Sequence, residues 1–179
     1  MNLKSFLLCA TVLVFISCKK NKDEFKYFGT ASAMFNGRAW QASKVRCGIN
    51  VPCYKGKLGI TFYVYNRQGF LRESLIFEKI PIEKKSFLLF PRNPADMTCA
   101  DTVATAGYFT SQDDGDVALD AYKAINSIDN YFTIEDYNER TKELRGSFSV
   151  TFEIFRRQDP NSADTIRVTN GKFYTRILD

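Results

Sequence analysis

The chain reads as an all-β protein, an antiparallel β-sandwich or flattened β-barrel of about nine or ten strands joined mostly as a meander. Three observations lead there. Phe148, Val150, Phe152 and Ile154 alternate with Ser149, Thr151 and Glu153, and Leu58, Ile60, Phe62 and Val64 alternate with Gly59, Thr61, Tyr63 and Tyr65. Alternation sustained this long puts one face of a strand in a core and the other in water. Turn-forming clusters recur at intervals of roughly ten residues, and no stretch holds a helical period over three turns.

Composition sets the outer bounds. The 179 residues are 45% hydrophobic and 25% charged, enough apolar content for a true core and unlike a disordered or collagen-like chain. Net charge is +5, with opposite signs interspersed, too mild for a dedicated nucleic-acid binder. Histidine is absent, which removes Ser-His-Asp triads, His-ligated zinc and histidine general bases.

In chain order, residues 1–17 come first: Lys4, then an apolar run from Phe6 to Ile16. As a helix that run would rise about 17 Å, short of the ~30 Å hydrocarbon core, so a secretory signal fits better than a membrane span. Phe15-Ile16-Ser17-Cys18 resembles a lipobox, although Phe15 stands where an aliphatic residue is usual. The resemblance implies cleavage before Cys18 and its diacylation, and more than one acyl chain gives stable attachment. The expected location is the outer membrane, lipid-anchored, at its periplasmic face or on the cell surface. Lys19 to Glu24 is polar, and residues 18–27 read as the lipidated cysteine and a tether. Lys22-Asp23-Glu24 imperfectly resembles the charged export signal of surface lipoproteins in Bacteroidota, since Lys19 and Lys20 intervene.

Residues 28–179 form the single expected domain. Asn36-Gly37, between Ala33-Met34-Phe35 and Ala39-Trp40, is a two-residue hairpin signal, because a type I′ turn needs positive φ twice. Asp113-Asp114-Gly115-Asp116 separates Tyr108-Phe109 from Val117-Ala118-Leu119. The best helical candidate, Ala118 to Ile128, also fits alternation through Val117, Leu119 and Ala121, and is read as strand. Phe132 and Ile134 alternate with Thr133 and Glu135, and Asn138 to Glu143 divides the strand ending at Tyr137 from that starting at Leu144. Asp159-Pro160-Asn161-Ser162 closes the next hairpin. Asn170-Gly171 lies inside the last alternating run, Ile166 and Val168 onward, where glycine marks a bulge rather than a turn.

Both ends carry a resemblance. Phe28-Gly29-Thr30-Ala31-Ser32-Ala33 with Phe35-Asn36-Gly37-Arg38-Ala39-Trp40, and Leu144-Arg145-Gly146-Ser147-Phe148-Ser149 with Ile166 to Phe173, resemble the opening and closing strands of a family of small uncharacterised Bacteroidota lipoproteins. The likeness implies a lipoprotein with an all-β fold. It implies no activity, ligand or site residue.

Five cysteines occur. Cys9 leaves with the signal and Cys18 is acylated, which leaves Cys47, Cys53 and Cys99 in an oxidising compartment. Cys47 and Cys53 flank Gly48 to Pro52, a loop short enough to be closed by a disulfide, and pairing of either with Cys99 stays open. A left-over thiol is read as buried, with no histidine to activate it. Asp113, Asp114, Asp116 and Asp120 could supply oxygens to Ca²⁺, but their order does not match an EF-hand and a solvated hairpin tip is the better reading. No metal and no cofactor is expected.

Tyr63 and Tyr65 should face outward, opposite the core set of their strand, and with Trp40 or Tyr54 could stack on sugar rings. The plain preference of tyrosine for strands is the better reading of this stripe, and Trp40 reads better as core. Glu73, Glu78, Glu135, Asp136 and Glu153 lie on or beside strands, yet no spacing singles out a catalytic pair, and no catalytic residue is assigned. The expectation is therefore a lipid-anchored, non-catalytic binding module of the cell envelope, its ligand open, with a glycan as one candidate for which Tyr63, Tyr65 and Trp40 would be the contact residues. Its alternatives are an accessory to an outer-membrane protein partner and a carboxylate-pair glycoside hydrolase.

Overall fold

The computed structural model describes residues 26–49, 56–91, 103–112 and 114–178. The segment expected to be a signal peptide and Cys18, and with them Cys53, Tyr54, Cys99 and Asp113, lie outside the described residues. The described chain contains no helix. Its strands are β1 (Gly29–Phe35), β2 (Arg38–Gln41), β3 (Lys44–Gly48), β4 (Lys57–Tyr65), β5 (Leu71–Pro81) and β6 (Ser86–Leu88). They continue as β7 (Phe90–Pro91), β8 (Thr105–Ser111), β9 (Ala118–Ala124), β10 (Tyr131–Asn138), β11 (Glu143–Arg156) and β12 (Thr165–Arg176).

The all-β architecture is the expected one. Twelve strands stand against the nine or ten expected, because two pieces are too short to alternate. β6 and β7 hold three and two residues, and β2 and β3 are halves of one bent strand. All pairings are antiparallel except β7 with β8.

Along the sheet the order is β2-β1-β12-β11-β9-β8-β5-β4-β3, and β10 bridges β11 to β6. This ladder is not closed, but its two ends, β2 and β3, are separated only by Ala42 and Ser43. Between β1 and β2, Ser32 faces Gln41 and Phe35 faces Arg38, residue numbers that sum to 73. Two bonds of 2.9 Å keep that register past the end of β2: Ala42 N–H to the Ala31 carbonyl, and Phe28 N–H to the Val45 carbonyl. Segment 38–48 thus borders β1 on one edge and β4 on the other, bending the sheet round onto itself. Flattened barrel and sandwich are two views of this shape.

The alternating residues turn inward as their period requires. Leu58, Ile60, Phe62, Phe132, Ile134, Phe148, Val150, Phe152 and Val168 are all buried. At the centre five phenylalanines interlock. The Phe148 ring centroid lies 5.3 Å from Phe62 and 5.2 Å from Phe77, and Phe132 stacks on Phe173 at 4.7 Å. Such pairs add to the area term that dominates folding.

The Asn36-Gly37 turn forms, with φ of 47° and 79°. Asn36 Oδ1 also accepts from the Arg167 N–H at 2.7 Å, tying this turn to β12. Asn170-Gly171 is the expected bulge: the register of β12 slips there against both β1 and β11. Glycine is required by close approach, since a Cβ at Gly171 would lie 2.4 Å from Phe148 Cδ2 and 2.6 Å from the Phe148 carbonyl oxygen. Gly171→Ala is expected to cost about 2 kcal/mol, seen as a lower urea midpoint at unchanged slope.

Candidate functional site

Tyr63 and Tyr65 lie on the outer face of β4, half exposed, as alternation requires beside the buried Phe62. Tyr27, just before β1, joins them. Its ring meets Tyr63 edge-on at 5.8 Å, and its hydroxyl lies 3.4 Å from that of Tyr65. Tyr63 and Tyr65 are 6.1 Å apart, and the Lys44 Nζ sits 4.8 Å from the ring centres of both Tyr27 and Tyr65. Partial burial, then the bond to Tyr27, push the Tyr65 hydroxyl well above the usual tyrosine range, so it stays protonated and able to donate.

The aromatic surface continues across the sheet. Phe28 packs against Tyr174 of β12 at 5.7 Å, and the Arg176 guanidinium lies 4.5 Å from the Phe28 ring. Tyr174 in turn borders an open cleft of about 420 Å³, lined also by Thr30, Ser32, Glu135, Arg145 and Lys172. Tyr174 hydrogen-bonds Glu143, and partial burial together with that bond raises its pKa. Asp136 beside the cleft is bound by Lys84 at 2.9 Å and Arg145 at 3.0 Å. The hydrogen bond from Lys84 is the main reason its carboxyl sits below the usual carboxylate range.

Trp40 does not belong to this surface. It packs against the core from the inner face, stacked on Phe35 at 4.7 Å, and donates from Nε1 to Glu73 at 2.7 Å. Tyr108, buried, also bonds Glu73, and burial followed by that carboxylate drives its pKa up. Glu73 thus serves as an acceptor for two aromatic donors under the Asn36-Gly37 hairpin.

The other residues singled out by sequence are dispersed. Asp114 and Asp116 are at the β8–β9 tip, with Asp116 N–H donating to Asp114 Oδ1 at 3.2 Å. Asp120 points the other way. It is 1% exposed and accepts from the Gln158 N–H at 2.7 Å, the Asp159 N–H at 3.2 Å and the hydroxyls of Ser162 and Thr110. Burial raises its pKa, but these donors outweigh it, and its carboxyl sits below the usual range. Among the described residues, no three acidic or cysteine side chains gather into a metal site. Glu153 pairs with Lys123 at 3.1 Å on β11 and β9, away from Glu135 and Asp136 on β10. Cys47 is a free, buried thiol whose pKa burial pushes up to about 12. Its expected partner, Cys53, is outside the described residues.

No family model, curated protein or solved structure matches the chain.

Sequence reasoning found Tyr63 and Tyr65 and missed Tyr27, Lys44, Tyr174, Arg145 and Lys172. A signal existed. Lys172-x-Tyr174-x-Arg176 is the outward half of the β12 alternation, and it carries the same residue types as Tyr63-x-Tyr65 and Lys44-x-Arg46.

Proposed function

We propose that the protein is a lipid-anchored, non-catalytic binding module of the outer membrane, held there through Cys18, that takes a glycan on the face formed by Tyr27, Tyr63 and Tyr65. The observation that carries this reading is the gathering of three half-exposed tyrosines and Lys44 on the outer side of the sheet, where the core makes no use of them. Rings with a polar edge present an apolar plate and a hydrogen-bonding rim, which suits a sugar's two-sided chemistry. The apolar run from Phe6 to Ile16 ending at Ser17-Cys18 is what supports the anchor.

Titration of the full chain in mild detergent with soluble oligosaccharides tests the reading. Tyr63→Ala and Tyr65→Ala are each expected to weaken binding about tenfold or more while leaving the melting temperature within a few degrees. Trp40→Ala should do the reverse, lowering stability and sparing affinity. Undiminished binding in both tyrosine variants would sink the proposal.

A further inference from the structure

The tyrosine cluster and the cleft share one face of the sheet. From Tyr63 on β4 the surface passes over β3, the start of β1 and β12 to Arg145 on β11, four strand steps or about 19 Å. Aromatic rings occur along that path, Tyr65, Tyr63 and Tyr27 and then Phe28 and Tyr174. Cations line the same path. Lys44 and Lys172 have no carboxylate within ion-pair distance among the described residues, Arg176 lies over Phe28, and Arg145 meets Asp136 with one of its nitrogens. Thr30 and Ser32 add hydroxyls where the path opens into the cleft.

We infer that the ligand is an acidic glycan, a chain of sugars bearing carboxylates, with rings along the tyrosines and one acid group seated in the cleft between Arg145 and Lys172. This rests on the glycan reading above and adds its charge. The physical grounds are complementarity and shape. A guanidinium presents a planar fork of donors matched to a carboxylate, and Lys172 supplies a second, unpaired positive charge beside it. The flanking Thr30, Ser32 and Glu135 are groups that exchange hydrogen bonds with sugar hydroxyls. A nucleic acid, charged at every residue, would call for a denser field than one offset by Glu135, Glu143 and Asp136, whereas a single carboxylate needs only the two cations beside it, Arg145 and Lys172. A lipid surface would call for a continuous apolar face, whereas this one is broken by Thr30, Ser32, Glu135, Arg145 and Lys172.

The test uses two probe pairs on the full chain in mild neutral detergent: oligogalacturonate against its methyl ester, and hyaluronan oligomers against their carboxyl-reduced form. Calorimetry is expected to show at least one acid bound about tenfold or more tighter than its neutral counterpart, with added salt eroding only the acid's affinity. Lys172→Gln, an exposed change on β12, should bring the acid down to the neutral form's level. Arg145→Gln should do the same, with its melting temperature recorded because it also leaves Asp136 with Lys84 alone. Tyr63→Ala should weaken both members of a pair. Equal binding of acid and neutral forms, or an acid preference that survives Lys172→Gln, overturns the inference while the glycan reading stands. Binding to phosphatidylglycerol vesicles or to a DNA oligomer, with none to any of the four saccharides, overturns both.

Discussion

Phe148→Ala is expected to lower stability by about 4 kcal/mol, the upper part of the range for emptying a fully buried phenylalanine site. Phe148 is 0% exposed and touches Phe62, Phe77 and Phe132, so its removal leaves a void that rigid aromatic neighbours collapse into poorly. For a domain of this length each kcal/mol is worth about 2–4 °C, and the melting temperature should fall by roughly 8–16 °C. The same site gives a sharper check. The Phe148 ring is the first thing a methyl group at Gly171 would strike, so Gly171→Ala should cost less in a Phe148→Ala background than alone, the clash with the Phe148 carbonyl oxygen remaining. A double-mutant cycle should return a coupling of about 1–2 kcal/mol. Strict additivity would mean that the carbonyl oxygen, and not the ring, is what demands glycine there.

The second large effect lies at Asp120. Asp120→Ala is expected to cost about 3 kcal/mol, because one buried carboxylate accepts from two backbone amides and two hydroxyls. Asp120→Asn keeps one acceptor oxygen and should lose about half as much. The direction with pH follows from its depressed pKa. Stability supplied by the ionised carboxylate is complete above the unfolded-state value of about 4 and disappears as pH falls through the lower folded-state value. Urea midpoints of the native and Asp120→Asn proteins should therefore differ at neutral pH and converge in acid. A gap that stayed constant, or widened, would show that the charge of Asp120 is not what holds the 157–162 loop.

Both effects trace to residues whose reading from sequence differed sharply. Phe148 sits in the longest alternating run, and its inward placement follows from period two alone. The same rule places Leu58, Ile60 and Phe62 inside and Tyr63 outside. Asn36-Gly37 and Asn170-Gly171 are chemically alike, and their different surroundings, a gap between two runs and the interior of one, correctly separate turn from bulge. Asp120 looked like one more acid of a hairpin tip, because three of the four donors that recruit it are about forty residues away. Distance in sequence also hid the site. Tyr27 reaches Tyr63 only because segment 38–48 bends from β1 to β4, and nothing local in Ala42-Ser43 announces that bend. β6 and β7 escaped for a simpler reason: two or three residues contain no measurable period.

The pairing of β1 with β12 has a kinetic consequence. Gly29 lies opposite Thr175, so nearly the whole described chain separates two partners in one ladder. The neighbouring strand β11 is stitched to β12 on one edge and to β10 and β9 in succession on the other. Hairpins such as β1–β2, β4–β5 or β11–β12 are able to form early, but the outer edge of the first strand must wait until the last one exists. The entropy of closing so long a loop is spent before those contacts return anything, which places folding in the millisecond-to-second regime of sheet proteins rich in non-local pairs. Throughout that interval one edge of β1 lacks its ladder, and Ala31 and Ala33, buried in the finished sheet, lack their final cover.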